Sequence, residues 1–298
     1  MTGFSVIVPS FNSSSYIERA FNSIATAAKE RPFEVLVIDD SSLDIKDLEK
    51  LCSHYDYVRI IKKKTKTNAA HSRNIGIKHS RYPIVFLLDS DDILLEDAVD
   101  QRLDLHEKRN SGIIFGNYIT KSGKRCIVSN IHWNGEPIRE LLFCNGGDFR
   151  TSSISIYKRF YKNTMFDEKA DKHQDWIFGI RCGDAGESIT FDATPTSIII
   201  IESNDRMSSN FDLDASKYLV REYLDEQAHV NGFSKKHWKN AIAMKNCPAI
   251  DYYTSIFLPQ RNSEFLSKYI YLFLGKRYTI FISSMIMRLA KRVKWLKF

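Results

Sequence analysis

Short apolar segments alternate with amphipathic ones along the first third of the chain, and this alternation constrains the fold more than any other feature. The apolar segments are FSVIV (residues 4–8), FEVLVI (33–38), YVRII (57–61) and PIVFLL (83–88). Nearly continuous apolar runs of this length are typical of strands that are covered on both faces. Segments with helical spacing separate them, the first one opened by a predicted capping box of Ser15 and Glu18. The alternation predicts an α/β fold with a mainly parallel sheet flanked by helices.

The organisation changes near residue 205. A last clear strand is expected at 196–202, the polar stretch NDRMSSNFD follows, and helices are predicted to fill most of the remainder. We therefore predict a sheet-containing domain at residues 1–210 and a helical C-terminal region at residues 211–298. A hydrophobic content of 43% and a charged content of 27% agree with a globular chain.

Cysteine usage and the first residues indicate the compartment. The five cysteines are an odd number without a CxxC pair, which favours reduced thiols in the cytoplasm over a disulfide framework. The first residues, MTGFSVIVPSFN, lack the basic segment that opens a signal peptide, so none is expected.

The basic residues are concentrated at the C-terminal end. Eight of the 43 basic side chains and none of the 36 acidic ones lie in residues 265–298, so the rest of the chain is close to neutral. This distribution is unlike that of a nucleic-acid-binding domain. The tail pattern predicts a basic amphipathic helix lying on an anionic membrane surface, which implies a cytoplasmic protein peripheral to the inner face of the membrane. A terminal helix packed on the body, or a homodimer contact, is the alternative.

Carboxylates follow two of the predicted strands. Asp39 and Asp40 end the second, and the segment DSDD, residues 89–92, ends the fourth. Ligands of open parallel sheets bind at this carboxyl edge, and Mg²⁺ or Mn²⁺ prefers oxygen ligands. The alternative is that Asp91 or Asp92 caps a helix entering at Ile93 and that Asp40 caps its own turn.

Five segments together resemble the inverting glycosyltransferases of family 2. They are VIVPSFN (6–12), VLVIDDSS (35–42), AHSRNIGI (70–77), FLLDSDD (86–92) and FDEKADKHQDWIFGIR (166–181), in the family's order and spacing. The resemblance implies a GT-A fold, a nucleotide-sugar donor with UDP as the commonest nucleotide, and a divalent metal, Mn²⁺ or Mg²⁺. It also implies a saccharide acceptor carried on a lipid, as in the assembly of bacterial surface polysaccharides.

The resemblance further assigns roles to residues. Asp175 matches the catalytic base and Asp91 the metal ligand, while Gln174 stands where the family usually has Glu. Residues 148–153 (DFRTSS) are expected near the acceptor. The positions implied in binding the nucleotide sugar are Pro9, Phe11, Asp40, Arg73, Asp89 and Ser90.

Two other functions share parts of this pattern. A response-regulator receiver could use Asp39, Asp40 and Asp89 as its acidic site, but it carries its acidic pair on the first strand and ends well before residue 200. A sugar-nucleotide pyrophosphorylase has a related fold, yet its Gly-rich, Arg-containing loop is absent from PSFNSSSY. The transferase is therefore the favoured interpretation.

Overall fold

The computed structural model describes residues 2–201 and 212–258. The chain divides into two compact units, one formed by residues 1–142 and 146–210 and the other by residues 143–145 and 211–298. The predicted basic tail, residues 265–298, lies outside the described residues.

The first unit contains eleven strands among the described residues. They are β1 (Phe4–Ser10), β2 (Phe33–Asp39), β3 (Val58–Lys62), β4 (Ile84–Leu87), β5 (Ile93–Leu94), β6 (Ile113–Gly116), β7 (Ile119–Ser122), β8 (Arg125–Val128), β9 (Ser155–Tyr157), β10 (Ile189–Asp192) and β11 (Ser197–Ile200). Seven of them form one sheet in the order β10-β6-β9-β4-β1-β2-β3, and the others form a second sheet in the order β5-β11-β7-β8.

Helices connect these strands and make up the described part of the second unit. They are α1 (Glu18–Ala28), α2 (Ile45–Cys52), α3 (Ala69–His79), α4 (Ala98–Arg109), α5 (Ile138–Phe143), α6 (Gln174–Asp184), α7 (Leu213–Tyr223), α8 (Gln227–Ala243) and α9 (Cys247–Ile256). A single 3₁₀ turn covers Thr151–Ser153. Among residues 2–201 and 212–258, no helix combines the length and the apolar character that a membrane crossing requires.

The order of the parallel strands brings the acidic strand ends together. β1 pairs in parallel with both β2 and β4, with Ser10 opposite Asp39 and Ile7 opposite Leu87. The strand order reverses at this point, and such a switch point in an open sheet leaves a crevice beyond the carboxyl ends of the strands. The carboxyl ends of β1, β2 and β4 therefore form one edge, and the predicted site lies on it.

Apolar residues on both faces of the central strands explain why these strands read as continuous apolar runs. Phe4, Val6 and Val8 are fully buried and belong to the same core cluster as residues of α1 such as Phe21. On the other face α3 packs very closely, because a Cβ placed on Gly76 would lie 2.3 Å from Cγ2 of Ile7. Glycine at this position lets the helix that carries Arg73 approach the sheet.

Three local predictions need correction. α1 begins at Glu18, and no side-chain cap is formed at its start, so the predicted Ser15–Glu18 capping box is wrong. Residues 93–94 form β5 and not the start of a helix, because Ile93 and Leu94 pair with β11. The family resemblance implies that Pro9 to Asn12 form a loop against the nucleotide, but Pro9 belongs to β1 itself.

Candidate functional site

The carboxylate of Asp40 is held at the carboxyl edge of β2. Its Oδ1 accepts a hydrogen bond from the backbone N–H of Thr67 at 2.7 Å and lies 2.7 Å from Nζ of Lys63, and both charged side chains are nearly buried. Within the described residues, Oδ2 has no hydrogen-bond partner. A fixed carboxylate with one open oxygen can accept a hydrogen bond from a ligand, as the predicted role of Asp40 requires.

The segment between β3 and α3 connects several predicted residues. Lys63 and Thr67 hold Asp40, while Nζ of Lys66 lies 3.5 Å from the centre of the Phe11 ring, a cation–π contact. Phe11 is 38% exposed, so one large aromatic surface remains accessible beside the strand ends. The sequence KKKTKTN has no apolar pattern, and its part in the site could not be predicted.

The DSDD segment follows β4, and its three carboxylates differ in environment. Asp92 is 3% exposed, and its two oxygens accept hydrogen bonds from the Ser152 hydroxyl and the Ile200 N–H. Burial, with added repulsion from Asp89 and Asp91, raises the pKa of Asp92 to about 8. The Ser152 hydroxyl in turn accepts a hydrogen bond from the N–H of Asp89. Asp92 is thus a structural anchor of this loop, and Asp89 and Asp91 remain as candidates for ligand binding.

Ser90 and Asp91 lie next to the loop after β1. Burial raises the pKa of Tyr16, and a hydrogen bond with the Ser90 side chain opposes this while the Asp91 charge adds to it. The carbonyl oxygen of Asp91 accepts a hydrogen bond from Arg19 at 2.8 Å. The loops after β1 and β4 are therefore in direct contact.

Arg73 connects Asp89, which follows β4, to the start of α6. Its guanidinium is buried, donates to Asp89 Oδ1 at 2.7 Å and donates to Gln174 Oε1 at 2.9 Å. Gln174 is the first residue of α6, and its amide also donates to the Ala170 carbonyl. A glutamine here lets one neutral side chain accept from Arg73 and donate to the backbone, so the Arg73 charge is left to Asp89.

Asn74, the residue after Arg73, holds the segment that leads to α6. Its Nδ2 donates to the Phe166 carbonyl and to the Glu168 carboxylate, and its Oδ1 accepts from the Phe166 N–H. Asn68 caps the start of α3 and also donates to the Glu168 carbonyl. Asn74 and the cap residue Asn68 therefore hold this distant segment against α3.

Asp175 lies in the first turn of α6. Its Oδ1 accepts a hydrogen bond from the N–H of Trp176, and Oδ2 accepts none from the described part of the chain. The side chain is 19% exposed. Burial raises the pKa of Asp175 to about 6; Arg150 and Arg73 oppose this rise and Asp148 adds to it. A carboxylate with an open oxygen and a pKa near neutrality has the properties of a general base.

A second carboxylate is fixed beside Asp175. Asp148 accepts hydrogen bonds from the Tyr118 hydroxyl, the Trp176 indole N–H, the Phe149 N–H and Nε of Arg150. Nη1 of Arg150 lies 4.0 Å from Asp175 Oδ2. Residues 148–150 therefore adjoin the candidate base, although their use of an Arg–Asp pair was not predicted.

The structure brings most of the predicted residues to one edge, in two groups. Asp89 and Arg73 are in direct contact, and Gln174 links Arg73 to the start of the helix that carries Asp175. Asp40, Phe11 and Pro9 lie around β1 and β2, and within the described residues Asp40 contacts none of the other predicted residues directly. The residues that sequence reasoning missed are Lys63, Lys66, Asn68 and Asn74. Asp148 and Arg150 belong to the segment 148–153 that was expected near the acceptor, but their ion pair beside Asp175 was not predicted.

The residues at the end of β4 fit a divalent cation of the Mg²⁺ or Mn²⁺ type. Asp92 already uses both oxygens for hydrogen bonds, Asp89 is paired with Arg73, and Asp91 is the ligand that the family resemblance implies. A site with one or two carboxylates is incomplete by itself, but these cations take their remaining ligands from water and from substrate phosphates.

Comparison with known proteins identifies relatives of this chain. A family model described as Glycosyl transferase family 2 matches residues 5–173. The poly(ribitol-phosphate) beta-N-acetylglucosaminyltransferase TarP of Staphylococcus aureus (strain N315) is 27% identical over 248 residues, which cover 81% of this chain and 74% of TarP. The amylovoran biosynthesis glycosyltransferase AmsB of Erwinia amylovora is 29% identical over 204 residues, which cover 64% of this chain and 67% of AmsB.

Solved structures of S. aureus TarS have a similar fold. TarS 1–349 in complex with UDP-GlcNAc superposes with a TM-score of 0.63 at 17% identity, over 86% of this chain and 82% of that one. The complex with UDP has a TM-score of 0.58 at 17% identity, over 85% and 78% of the two chains. The predicted α/β fold of the GT-A type, with a helical C-terminal region, is confirmed.

Proposed function

Because this chain belongs to glycosyl transferase family 2 and is a glycosyltransferase, we propose that it moves one sugar from a nucleotide-sugar donor to a hydroxyl of a saccharide acceptor, with inversion at the anomeric carbon. One observation carries this proposal. Asp175 presents an open carboxylate oxygen next to Gln174, and Arg73 joins Gln174 to Asp89 on the donor side. Family membership also sets aside the receiver and pyrophosphorylase alternatives.

The donor in this proposal is a UDP-sugar. The TarS structures contain UDP-GlcNAc and UDP, and TarP is named as an N-acetylglucosaminyltransferase. In this chain Phe11 offers an exposed ring and Asp40 an open oxygen for the base, while Asp89 and Ser90 adjoin the position expected for the ribose and diphosphate. Pro9 is the last residue but one of β1, at the edge of the sheet where the nucleotide is proposed to bind.

Asp91 is the proposed ligand of Mn²⁺ or Mg²⁺, with Asp89 mainly orienting the donor. The cation would supply positive charge to the leaving diphosphate. Arg73 cannot replace it fully, because its guanidinium is already paired with Asp89 and Gln174.

The proposed chemistry is a single displacement. The acceptor oxygen attacks the anomeric carbon opposite the diphosphate, the bond from that carbon to the diphosphate breaks, and the nucleoside diphosphate leaves with the electron pair. The hydroxyl proton passes to Oδ2 of Asp175 as the new bond forms. A base with a pKa near 6 is ionised at neutral pH and is still basic enough to take that proton, and such catalysis contributes typically about 10²–10⁴-fold.

A thermal-shift screen tests the donor and the metal together. UDP-GlcNAc is measured first, then other nucleotide sugars, each with and without Mn²⁺. The proposal expects stabilisation by a nucleotide sugar that increases with Mn²⁺, because a ligand that binds only the folded state raises its stability. The same stabilisation with EDTA as with Mn²⁺ would contradict the proposed metal dependence. No stabilisation by any nucleotide sugar would contradict the proposed nucleotide-sugar donor.

The acceptor and the location are proposed from the tail and from the relatives. TarP is named for poly(ribitol-phosphate) and AmsB for amylovoran biosynthesis, both consistent with a bacterial surface polysaccharide. We place the protein in the cytoplasm, on the inner face of the membrane, with a lipid-linked saccharide as acceptor. Each basic side chain close to an anionic surface contributes roughly 1 kcal/mol.

Liposome binding tests the location. A chain ending at residue 264 should lose binding to anionic vesicles and keep donor binding, whereas neutral vesicles should bind neither protein. Unchanged binding by the shortened chain would contradict the membrane tail. Loss of a dimer in the shortened chain, measured by light scattering, would support the alternative of a homodimer contact.

A further inference from the structure

Arg150 is the cation that acts most strongly on Asp175. The charge of Asp148 raises the pKa of Asp175, and Arg150 and Arg73 oppose that rise, Arg150 more than Arg73. Arg73 is also paired with Asp89 by a contact of 2.7 Å. Arg150, which lies between Asp148 and Asp175, offsets part of the negative charge of these two carboxylates.

Asp148 fixes the position of Arg150. Its carboxylate receives three hydrogen bonds from Tyr118, Trp176 and the Phe149 N–H, so it cannot turn away, and Nε of Arg150 is the fourth donor, at 2.7 Å. One edge of the guanidinium is thereby anchored. Burial alone would lower the pKa of Arg150, but Asp148 and Asp175 more than offset this and raise it. The guanidinium stays charged at every pH of interest.

The distance between Arg150 and Asp175 indicates how the two side chains interact. Nη1 lies 4.0 Å from Oδ2, close enough for a strong charge interaction but too long for a hydrogen bond. A direct bidentate pair would occupy the lone pairs that a base needs. At 4.0 Å the arginine stabilises the ionised carboxylate and leaves Oδ2 open to a hydroxyl.

We propose that Arg150, anchored by Asp148, is a positioning residue for the transfer reaction, whose charge keeps Asp175 ready to accept a proton. The inference rests on the proposed role of Asp175 as the base. The groups that face Asp175 are Arg150 and Asp148 from the segment before the 3₁₀ turn, Arg73 from α3, and the Trp176 N–H of its own helix. Of the two arginines, Arg150 can be neutralised without breaking the contact to Asp89 that Arg73 makes.

The test is a direct titration of Asp175. Protein labelled with ¹³C at the aspartate carboxyl carbons is titrated by NMR without metal or donor, and the Asp175 signal is assigned by its absence in Asp175→Asn. An opposite charge within about 4–6 Å lowers a carboxyl pKa by roughly 1–3 units. Arg150→Met should therefore raise the Asp175 pKa by at least about 1 unit, whereas Arg150→Lys, which keeps the charge, should restore most of the wild-type value.

A matched control and a fallback variant keep the result interpretable. Arg31→Met also removes an Arg–carboxylate pair, that with Asp100, but at the amino edge of β2, so it should leave the Asp175 titration unchanged. If Arg150→Met does not fold, Arg150→Gln, which retains a donor for Asp148, takes its place. An Asp175 pKa within half a unit of wild type in the neutral variant would overturn the inference.

Measurements of turnover distinguish a failure of this inference from a failure of the proposed function. Turnover is measured with UDP-GlcNAc and Mn²⁺ as a function of pH. In Arg150→Met the acid-side fall in turnover should occur at a higher pH, and this shift should equal the rise in the Asp175 pKa measured by NMR. A raised acceptor KM without this shift would make Arg150 an acceptor ligand and would overturn the inference. Full turnover by Asp175→Asn would contradict the proposed role of Asp175 as the base, whatever the NMR titration shows.

Discussion

Asn74 allows the clearest quantitative test of how the fold supports the site. The side chain is 3% exposed and makes three hydrogen bonds to residues 166–168, at 3.0, 2.8 and 2.9 Å. In Asn74→Ala the N–H and C=O of Phe166, a residue that is 2% exposed, lose these partners. Each unsatisfied buried group costs about 1–3 kcal/mol, so the loss of both partners should reduce the unfolding free energy by about 2–6 kcal/mol.

Urea unfolding followed by tryptophan fluorescence measures this loss. Asn22→Ala is the matched control, because Asn22 is exposed on α1 and its replacement should change stability by less than about 0.7 kcal/mol in either direction. Asn74→Asp keeps the acceptor for the Phe166 N–H but places a carboxylate against Glu168, so it should be at least as destabilising as Asn74→Ala. A loss below about 0.5 kcal/mol in Asn74→Ala would refute the view that this asparagine holds the segment before α6.

Three further outcomes are expected. Gly76→Ala should cost about 1–3 kcal/mol in urea unfolding, because its new Cβ would lie 2.3 Å from Ile7 Cγ2. His106→Gln should remove a pH-dependent loss of unfolding free energy of up to roughly 3 kcal/mol between about pH 6.5 and pH 4, because burial lowers the pKa of His106 to about 4 and the unfolded chain therefore binds this proton first. The raised pKa values of Asp92 and Asp175 act in the opposite direction, so the quantity to measure is the difference between wild type and His106→Gln. A His106→Gln variant that keeps the full wild-type pH dependence would contradict this. Asp91→Asn should abolish Mn²⁺-dependent donor binding in calorimetry and leave the fold intact, and retained metal-dependent binding would show that Asp91 is not a ligand.

The parallel half of the sheet could be predicted because its strands are buried on both faces. Residues such as Val6 and Val37 have to be apolar whichever way they point, so β1, β2 and β4 appear as apolar runs in the sequence itself. Strand β5 could not be recognised, because it has two residues and exists only through its pairing with β11, about a hundred positions later. Strand β10 could not be recognised either, because its sequence, ITFD, carries no distinctive pattern.

The residues of the candidate site also divide into those that could be predicted from the sequence and those that could not. Acids at strand ends can be placed at one edge of the sheet from topology alone, and this predicts the positions of Asp40 and Asp89. The partners that tune these acids come from other elements, such as Lys63 for Asp40 and Arg150 for Asp175. A single sequence holds no record of such contacts: a lysine in KKKTK has the appearance of a surface residue, and the expectation that DFRTSS lies near the acceptor did not indicate that Arg150 lies beside Asp175.

Turnover by Asp175→Asn tests the central claim most directly. Purified wild-type and variant proteins are compared with UDP-GlcNAc and Mn²⁺, or with the donor that the thermal-shift screen identifies, and nucleoside diphosphate release is measured beside donor affinity by calorimetry. The account predicts a fall in turnover of about 10²–10⁴-fold or more with donor and metal binding nearly unchanged. Turnover by Asp175→Asn within a few-fold of wild type would contradict it and would move the search for the base to Asp171 and Glu168.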